Sequence, residues 1–132
     1  MSTLATYQLI SSQWVGLPEQ FFDGDSKDFQ FTVPGNAVNP IYLPPHILFW
    51  EMSGSADGNS ATFSISLNEV SILDGHIPSG PDGGRRTMHH VIETNLFSHG
   101  VVNTLTVTRT GGVGKVNFNT IVLWHHVNQV AL

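Results

Sequence analysis

"SHGVVNTLTVTRTGGVGKVNFNTIVLWHH", residues 98–126, holds two strands of different character separated by a glycine turn. In the first, Leu105 and Val107 alternate with Thr104, Thr106 and Thr108, so apolar side chains take one face of an extended chain and hydroxyls the other. That is the pattern of a half-buried antiparallel strand, and threonine suits its outer surface. In the second, roughly Val116 to Val130, both parities are apolar: Phe118, Val122 and Trp124 on one, Ile121, Leu123 and Val127 on the other. Such a strand is expected to be central in its sheet and covered on both faces, by a loop, by the N-terminal segment or by another subunit, so a homo-oligomer is a possible partner state.

Upstream, the same period of two recurs. "DFQFTV" sets Phe29, Phe31 and Val33 on one face, and "ATFSISLNEV" sets Phe63, Ile65 and Leu67 opposite Thr62, Ser64 and Ser66. Turn chemistry separates the strands: "DGD" at 23–25, "PGN" at 34–36, "ADGN" at 56–59, "PDGG" at 81–84 and "GGVG" at 111–114. No window carries a capped helical stripe, since Gly16 and Pro18 interrupt the one candidate turn in "SSQWVGLPEQFF". Short strands at this spacing predict an all-β antiparallel β-sandwich, and 132 residues predict one domain over 1–132.

The composition narrows the functions. With 11% charged residues, 40% hydrophobic residues, 13 glycines and 7 prolines, the chain reads as a compact, loop-rich β protein. Five lysines and arginines against a net charge of -5 are too few to neutralise a phosphate backbone, which argues against nucleic acid. The absence of cysteine removes thiol chemistry and thiolate zinc sites. No signal peptide is visible in "MSTLATYQLI" and no window is apolar for the length of a membrane span, so the reading is a soluble chain of open compartment.

The 98–126 stretch is similar to the end of galactose-binding-like jelly-roll domains, in which a Gly, an Asn and alternating aliphatics precede a glycine turn and an apolar last strand. Gly100, Asn103, Leu105, Val107 and the run Ile121 to Trp124 occupy those places. "SISLNEVSI" also resembles the family strand with a short "LN" turn, at Leu67 and Asn68. The resemblance implies a jelly-roll sandwich and, as its leading function, a non-catalytic carbohydrate-binding module or lectin whose partner is a glycan or other small molecule.

Candidate chemistry begins with "RRTMHHVIETN", 85–95. Neighbouring strand residues point to opposite faces, so neither His89 with His90 nor His125 with His126 forms a chelating pair. Parity groups His90 with Met88 and Ile92 toward the core, and His89 with Thr87, Val91 and Glu93 away from it. A small β-barrel or cupin-like enzyme would use His89, Glu93 and His125, or Glu51, for metal or acid-base chemistry. "GGRRTMHHVIETNLFSHG" resembles the first cupin motif, with Gly83 ahead of His89, but Val91 stands where that motif has its second metal histidine and the carboxylate at Glu93 arrives early. Hydrogen-bonded or solvated strand histidines need no function at all.

"DGDSKDF" crowds Asp23, Asp25 and Asp28 around a glycine, a set of oxygen ligands suited to structural calcium, although Lys27 sits among them and a plain hairpin turn is the rival reading. Apart from the metal of the enzyme alternative, structural calcium is the one cofactor the residues suggest. For sugars, rings pack on apolar sugar faces while planar polar groups take the hydroxyls, which points to Trp14, Tyr42, Trp50 and Trp124 as ring candidates. The loop residues Asp82, Arg85 and Arg86 supply polar forks. The expected ligand-binding set is thus Asp82, Arg85, Arg86, His89, Trp50 and Trp124, with a structural assembly module as the remaining alternative.

Overall fold

The computed structural model describes residues 2–11, 26–33, 46–54, 62–76, 86–93, 96–98, 100–112 and 116–129. They form eight strands: β1 (Ser2–Ser11), β2 (Ser26–Thr32), β3 (His46–Gly54), β4 (Thr62–Leu67), β5 (Val70–His76), β6 (Arg86–Ile92), β7 (Val102–Gly111) and β8 (Val116–Gln129). All neighbours pair antiparallel, in two four-stranded sheets of order β1-β8-β3-β6 and β2-β7-β4-β5. Eight strands interleaved in this way between two sheets make a jelly-roll β-sandwich. No helix among the described residues is long and apolar enough to cross a membrane.

The core lies between the sheets, on the parity that the alternation marks. Phe31 and Val33 enter it at the end of β2, Phe63, Ile65 and Leu67 from β4, and Leu105 and Val107 from β7, all 6% exposed or less. Leu48, Trp50 and Met52 of β3 and Ile121 and Leu123 of β8 meet them from the other sheet. Thr104, Thr106 and Thr108 of β7 and Ser64 and Ser66 of β4 are half-buried on the outer face, as period-two strands require.

β8 is central, between β1 and β3, but its two faces differ from the even alternation expected for it. Between Glu51↔Thr120 and Met52↔Phe118 the register shifts by one residue, a β-bulge at position 119. The extra residue turns Phe118 inward, 3% exposed and edge-on to Phe63 at 5.1 Å, rather than outward with Val122 and Trp124. Within the chain its outer face is partly open: Val122 is half-buried and Trp124 is 41% exposed. Val127 lies outside the described side chains.

One end of the sandwich is fastened by two asparagines. Asn103, fully buried, accepts from Ser98 N (2.7 Å) and Asn68 Nδ2 (2.9 Å) on its Oδ1, and donates from Nδ2 to Ser98 O (2.8 Å) and Val101 O (3.3 Å). Asn68 in turn accepts from Thr104 N and donates to Leu96 O. Gly100, at a φ of 78° that disfavours side chains, donates its N–H to Val33 O and ties the connection to the end of β2. The Gly, Asn and "LN" positions of the sequence therefore close the fold.

Candidate functional site

Strand register builds a grid on the outer face of the β1-β8-β3-β6 sheet. Tyr7 pairs with Trp124, Trp124 with Ile47, and Ile47 with Val91, giving one row across all four strands. Leu9, Val122, Phe49 and His89 make the next row by the same pairings. Thr120, Glu51 and Thr87 make a third, polar row. With strands spaced about 4.8 Å apart, each full row is about 14 Å long.

The first two rows expose more apolar surface than a sheet's solvent face normally does. Tyr7 is 66% exposed, Leu9 and Val91 53% each, and Trp124 41%. Their rings form a chain: Tyr7 to Trp124 at 5.6 Å, Trp124 to Phe49 at 6.2 Å and Phe49 to His89 at 5.8 Å between centroids. Tilted and edge-on contacts at these distances hold aromatic rings in place without fully burying them. Beside them a depression of about 160 Å³ is bordered by Phe49, Trp50, Val122, Thr87, Thr120 and Glu51. Apolar rings on one side and a carboxylate with two hydroxyls on the other form an amphipathic surface, able to pack an apolar ligand face and to accept hydrogen bonds along its edge.

The expected residues distribute unevenly over this surface. Trp124 and His89 belong to it, with His89 exposed. Trp50 borders the depression, but its parity is inward, it is 2% exposed, and its indole N–H donates to Met52 Sδ at 3.3 Å, so its ring packs in the core. Asp82, Arg85, Trp14 and Tyr42 lie outside the described residues. Arg86 opens β6 opposite Met52, with its side chain outside the description. Sequence reasoning missed Tyr7, Leu9 and Phe49. The available signal was in "HILFWEM", where Ile47, Phe49 and Glu51 share one parity and Leu48, Trp50 and Met52 the other.

The acid-base constellation does not assemble. His125 is 4% exposed inside the sandwich, its ring 6.1 Å from that of the buried His46, which meets Phe97 edge-on at 4.7 Å. His89 stands on the opposite face of the same sheet, and Glu93 is exposed just past the end of β6. His90, half-buried, takes the core-facing parity with Ile92. Of the calcium candidates, Asp23 and Asp25 lie outside the described residues, and the exposed Asp28 accepts from Thr106 Oγ1 at 2.7 Å. Among the described residues no three His, Asp or Glu side chains gather in a way that could hold a metal ion.

No protein-family model matches the chain, and no curated protein matches it in sequence. Solved structures match it in fold. Dimeric latent PorU from Porphyromonas gingivalis superposes with a TM-score of 0.65 at 15% identity over 97% of the chain, which spans only 13% of that protein. A family 35 carbohydrate-binding module from an environmental isolate gives a TM-score of 0.56 at 12% identity, covering 100% of this chain and 92% of the module. The C-terminal CBM6 of LamC from Zobellia galactanivorans gives 0.53 at 13% identity, covering 92% and 98%. The chain thus has the jelly-roll fold of such carbohydrate-binding modules.

Proposed function

We propose that this chain is a non-catalytic carbohydrate-binding module or lectin that holds glycan on the outer face of the β1-β8-β3-β6 sheet. The observation that carries the reading is the ring chain Tyr7, Trp124, Phe49 and His89, exposed except for the half-buried Phe49, lying beside the polar row of Thr120, Glu51 and Thr87. A sugar ring is apolar on its faces and hydroxylated at its rim. Stacked on Trp124 or Phe49, it would direct hydroxyls toward the Glu51 carboxylate and the threonine oxygens, which accept hydrogen bonds from them. Glu51 is the one carboxylate among the described residues bordering the depression, whereas glycoside hydrolysis ordinarily takes two, which supports binding without turnover. Asp82, Arg85 and Arg86, which precede Thr87 in sequence, remain candidate polar ligand residues on the sequence reading alone.

The fold likeness to carbohydrate-binding modules supports this reading at the level of architecture. A glycan array followed by titration calorimetry tests it. Binding without turnover, weakened by Trp124→Ala or Tyr7→Ala, is the expected result. An array with no binder, repeated with calcium, refutes it. The same apolar rows would also suit a second copy of the chain packing isologously. Sedimentation over a range of concentrations, with and without the glycan found, separates the two occupants.

A further inference from the structure

The inner face of the β1-β8-β3-β6 sheet carries two histidines that the ring platform does not use. His46 opens β3 and His125 lies in β8, both on the core-facing parity, 0% and 4% exposed. The ladder pairs Ile47 with Trp124, and one step further along it the two imidazoles meet, their ring centroids 6.1 Å apart. Phe97 stands edge-on to His46 at 4.7 Å and to Phe31 at 6.2 Å, so core rings of the segment 96–98 and of β2 wall the pair. The clasp of Asn68 and Asn103 fastens the same segment, at Leu96 and Ser98.

Imidazole is the side chain that changes charge between about pH 5 and 8, and burial disfavours its charged form. Among the described residues, the ionisable groups on the surrounding elements mostly face away. On the inner face stands His90 of β6, half-buried and cross-strand from Leu48, a third imidazole rather than a carboxylate. Arg86 is at the far end of β6, opposite Met52. Tyr7 of β1, Glu51 of β3 and His89 of β6 take the outer face, and Glu93 is exposed past the end of β6. β2 meets the pair through Phe31, while Lys27 and the exposed Asp28 lie toward its other end. The side chain of His126, next in the chain, is outside the description.

Each imidazole gives up water to enter the core, and a charge on one raises the cost of a charge on the other, since at 6.1 Å inside the protein solvent and salt screen them little. A carboxylate against one ring would compensate a single charge and leave the second proton unfavourable. The unfolded chain has no such restriction and binds protons at both rings below about pH 6.5. At least one proton is therefore taken up when the protein opens in acid. Stability contributed by the neutral pair is complete above about pH 6.5 and is lost as the pH falls.

We propose that His46 and His125 form an acid-sensitive latch, closed at about pH 7.5 and driven open by protonation below about pH 6. Its position decides what the opening disturbs. His125 follows Trp124 and His46 precedes Ile47, so the ladder that holds the imidazoles on its inner face holds the centre of the ring platform on its outer face. Parting β3 from β8 at this row separates Trp124 from Phe49 and breaks the chain of rings. An intact aromatic face is thus a property of the neutral protein, whatever that face binds.

Urea titrations of wild type and His46→Leu/His125→Leu between about pH 5 and 8 test the latch. From about pH 6 to 5 the wild-type unfolding constant should rise about tenfold more per pH unit than that of the double variant, the factor that one proton contributes, or about a hundredfold more if both rings protonate. A difference below about threefold overturns the proposal. Should the double variant fail to fold, proton NMR of the imidazole rings in intact wild type decides. Signals of His46 and His125 should change only as the protein opens, and both titrating like free imidazole while the amide spectrum stays folded overturns the proposal. Amide hydrogen exchange, corrected for intrinsic rates, locates the opening. Residues 46–48 and 123–125 should lose protection in acid ahead of Ile65 and Val107, and equal loss at both places replaces the latch with a general acid sensitivity. No glycan enters these measurements, so their failure and that of the glycan-binding reading are distinct.

Discussion

Replacing Asn103 with alanine removes a fully buried side chain that makes four hydrogen bonds, three of them between 2.7 and 2.9 Å. Each of the three short bonds contributes a net of about 1 kcal/mol, and the fourth, at 3.3 Å, contributes less. Ser98 N–H and C=O and one Asn68 amide hydrogen lose their partners together, so Asn103→Ala should cost about 3 kcal/mol. Against a typical total of about 5–15 kcal/mol this is a large loss, visible as a lower urea midpoint at unchanged slope. Asn103→Asp sharpens the test. It keeps the acceptor, loses both donated bonds and sets a carboxylate against the Ser98 and Val101 carbonyls. Burial raises that carboxyl's folded pKa above its unfolded value, so the protonated form is the one the fold tolerates. The variant should therefore lose further stability as the pH rises from about 4 to 7. A midpoint shift equivalent to less than about 1 kcal/mol for Asn103→Ala would show that the two-asparagine network does not fasten this end of the sandwich.

Phe118→Ala should destabilise by about 3–5 kcal/mol, as for a ring lost from a core, whereas Val122→Ala on the exposed side of the same strand should cost under about 1.5 kcal/mol; equal costs in urea titrations would deny the bulge. Trp124→Ala should weaken glycan binding at least tenfold, about 1.4 kcal/mol, with the urea midpoint nearly unchanged; a folded variant with wild-type affinity would remove the aromatic face from the site. His89→Ala should leave stability intact, while a charged residue in place of half-buried His90 should cost on the order of 2 kcal/mol, and chemical denaturation of the pair reads the difference directly.

Much of the architecture was legible because period-two alternation survives wherever one face is dry and the other wet. Phe63-Ile65-Leu67 and Leu105-Val107 needed no more than that. β8 was harder. Its central position followed from two apolar parities, but a strict period assigns Phe118 to the wrong face, because a bulge leaves no mark in composition. β3 posed the same ambiguity in another form. With Phe49 and Trp50 adjacent, only the register that places Glu51 outward shows that Phe49 and not Trp50 reaches solvent. The histidine doublets yielded to parity, yet the sequence does not say which strands lie side by side, and so His89 and His125 looked like partners when a sheet stands between them. The ring chain is assembled from four strands far apart in sequence, and no local pattern could have announced it.

The order in which the strands neighbour one another also bears on how the chain folds. Of the six pairings among the described strands, only β4 with β5 joins elements adjacent in sequence, through the two-residue turn at Asn68-Glu69. Every other ladder closes a long loop, up to Ser2↔Gln129. Loop entropy is lost before such contacts are gained, which places folding on the slow side, in the range of milliseconds to seconds typical of non-local β topologies. The hairpin at 68–69 is the one place where pairing can begin cheaply. In the sheet that bears the ring chain no two neighbours are consecutive in sequence, and its outermost ring, Tyr7, arrives only when β1 meets β8. A refolding chain would thus gain its circular dichroism and core fluorescence before it regains the complete aromatic face.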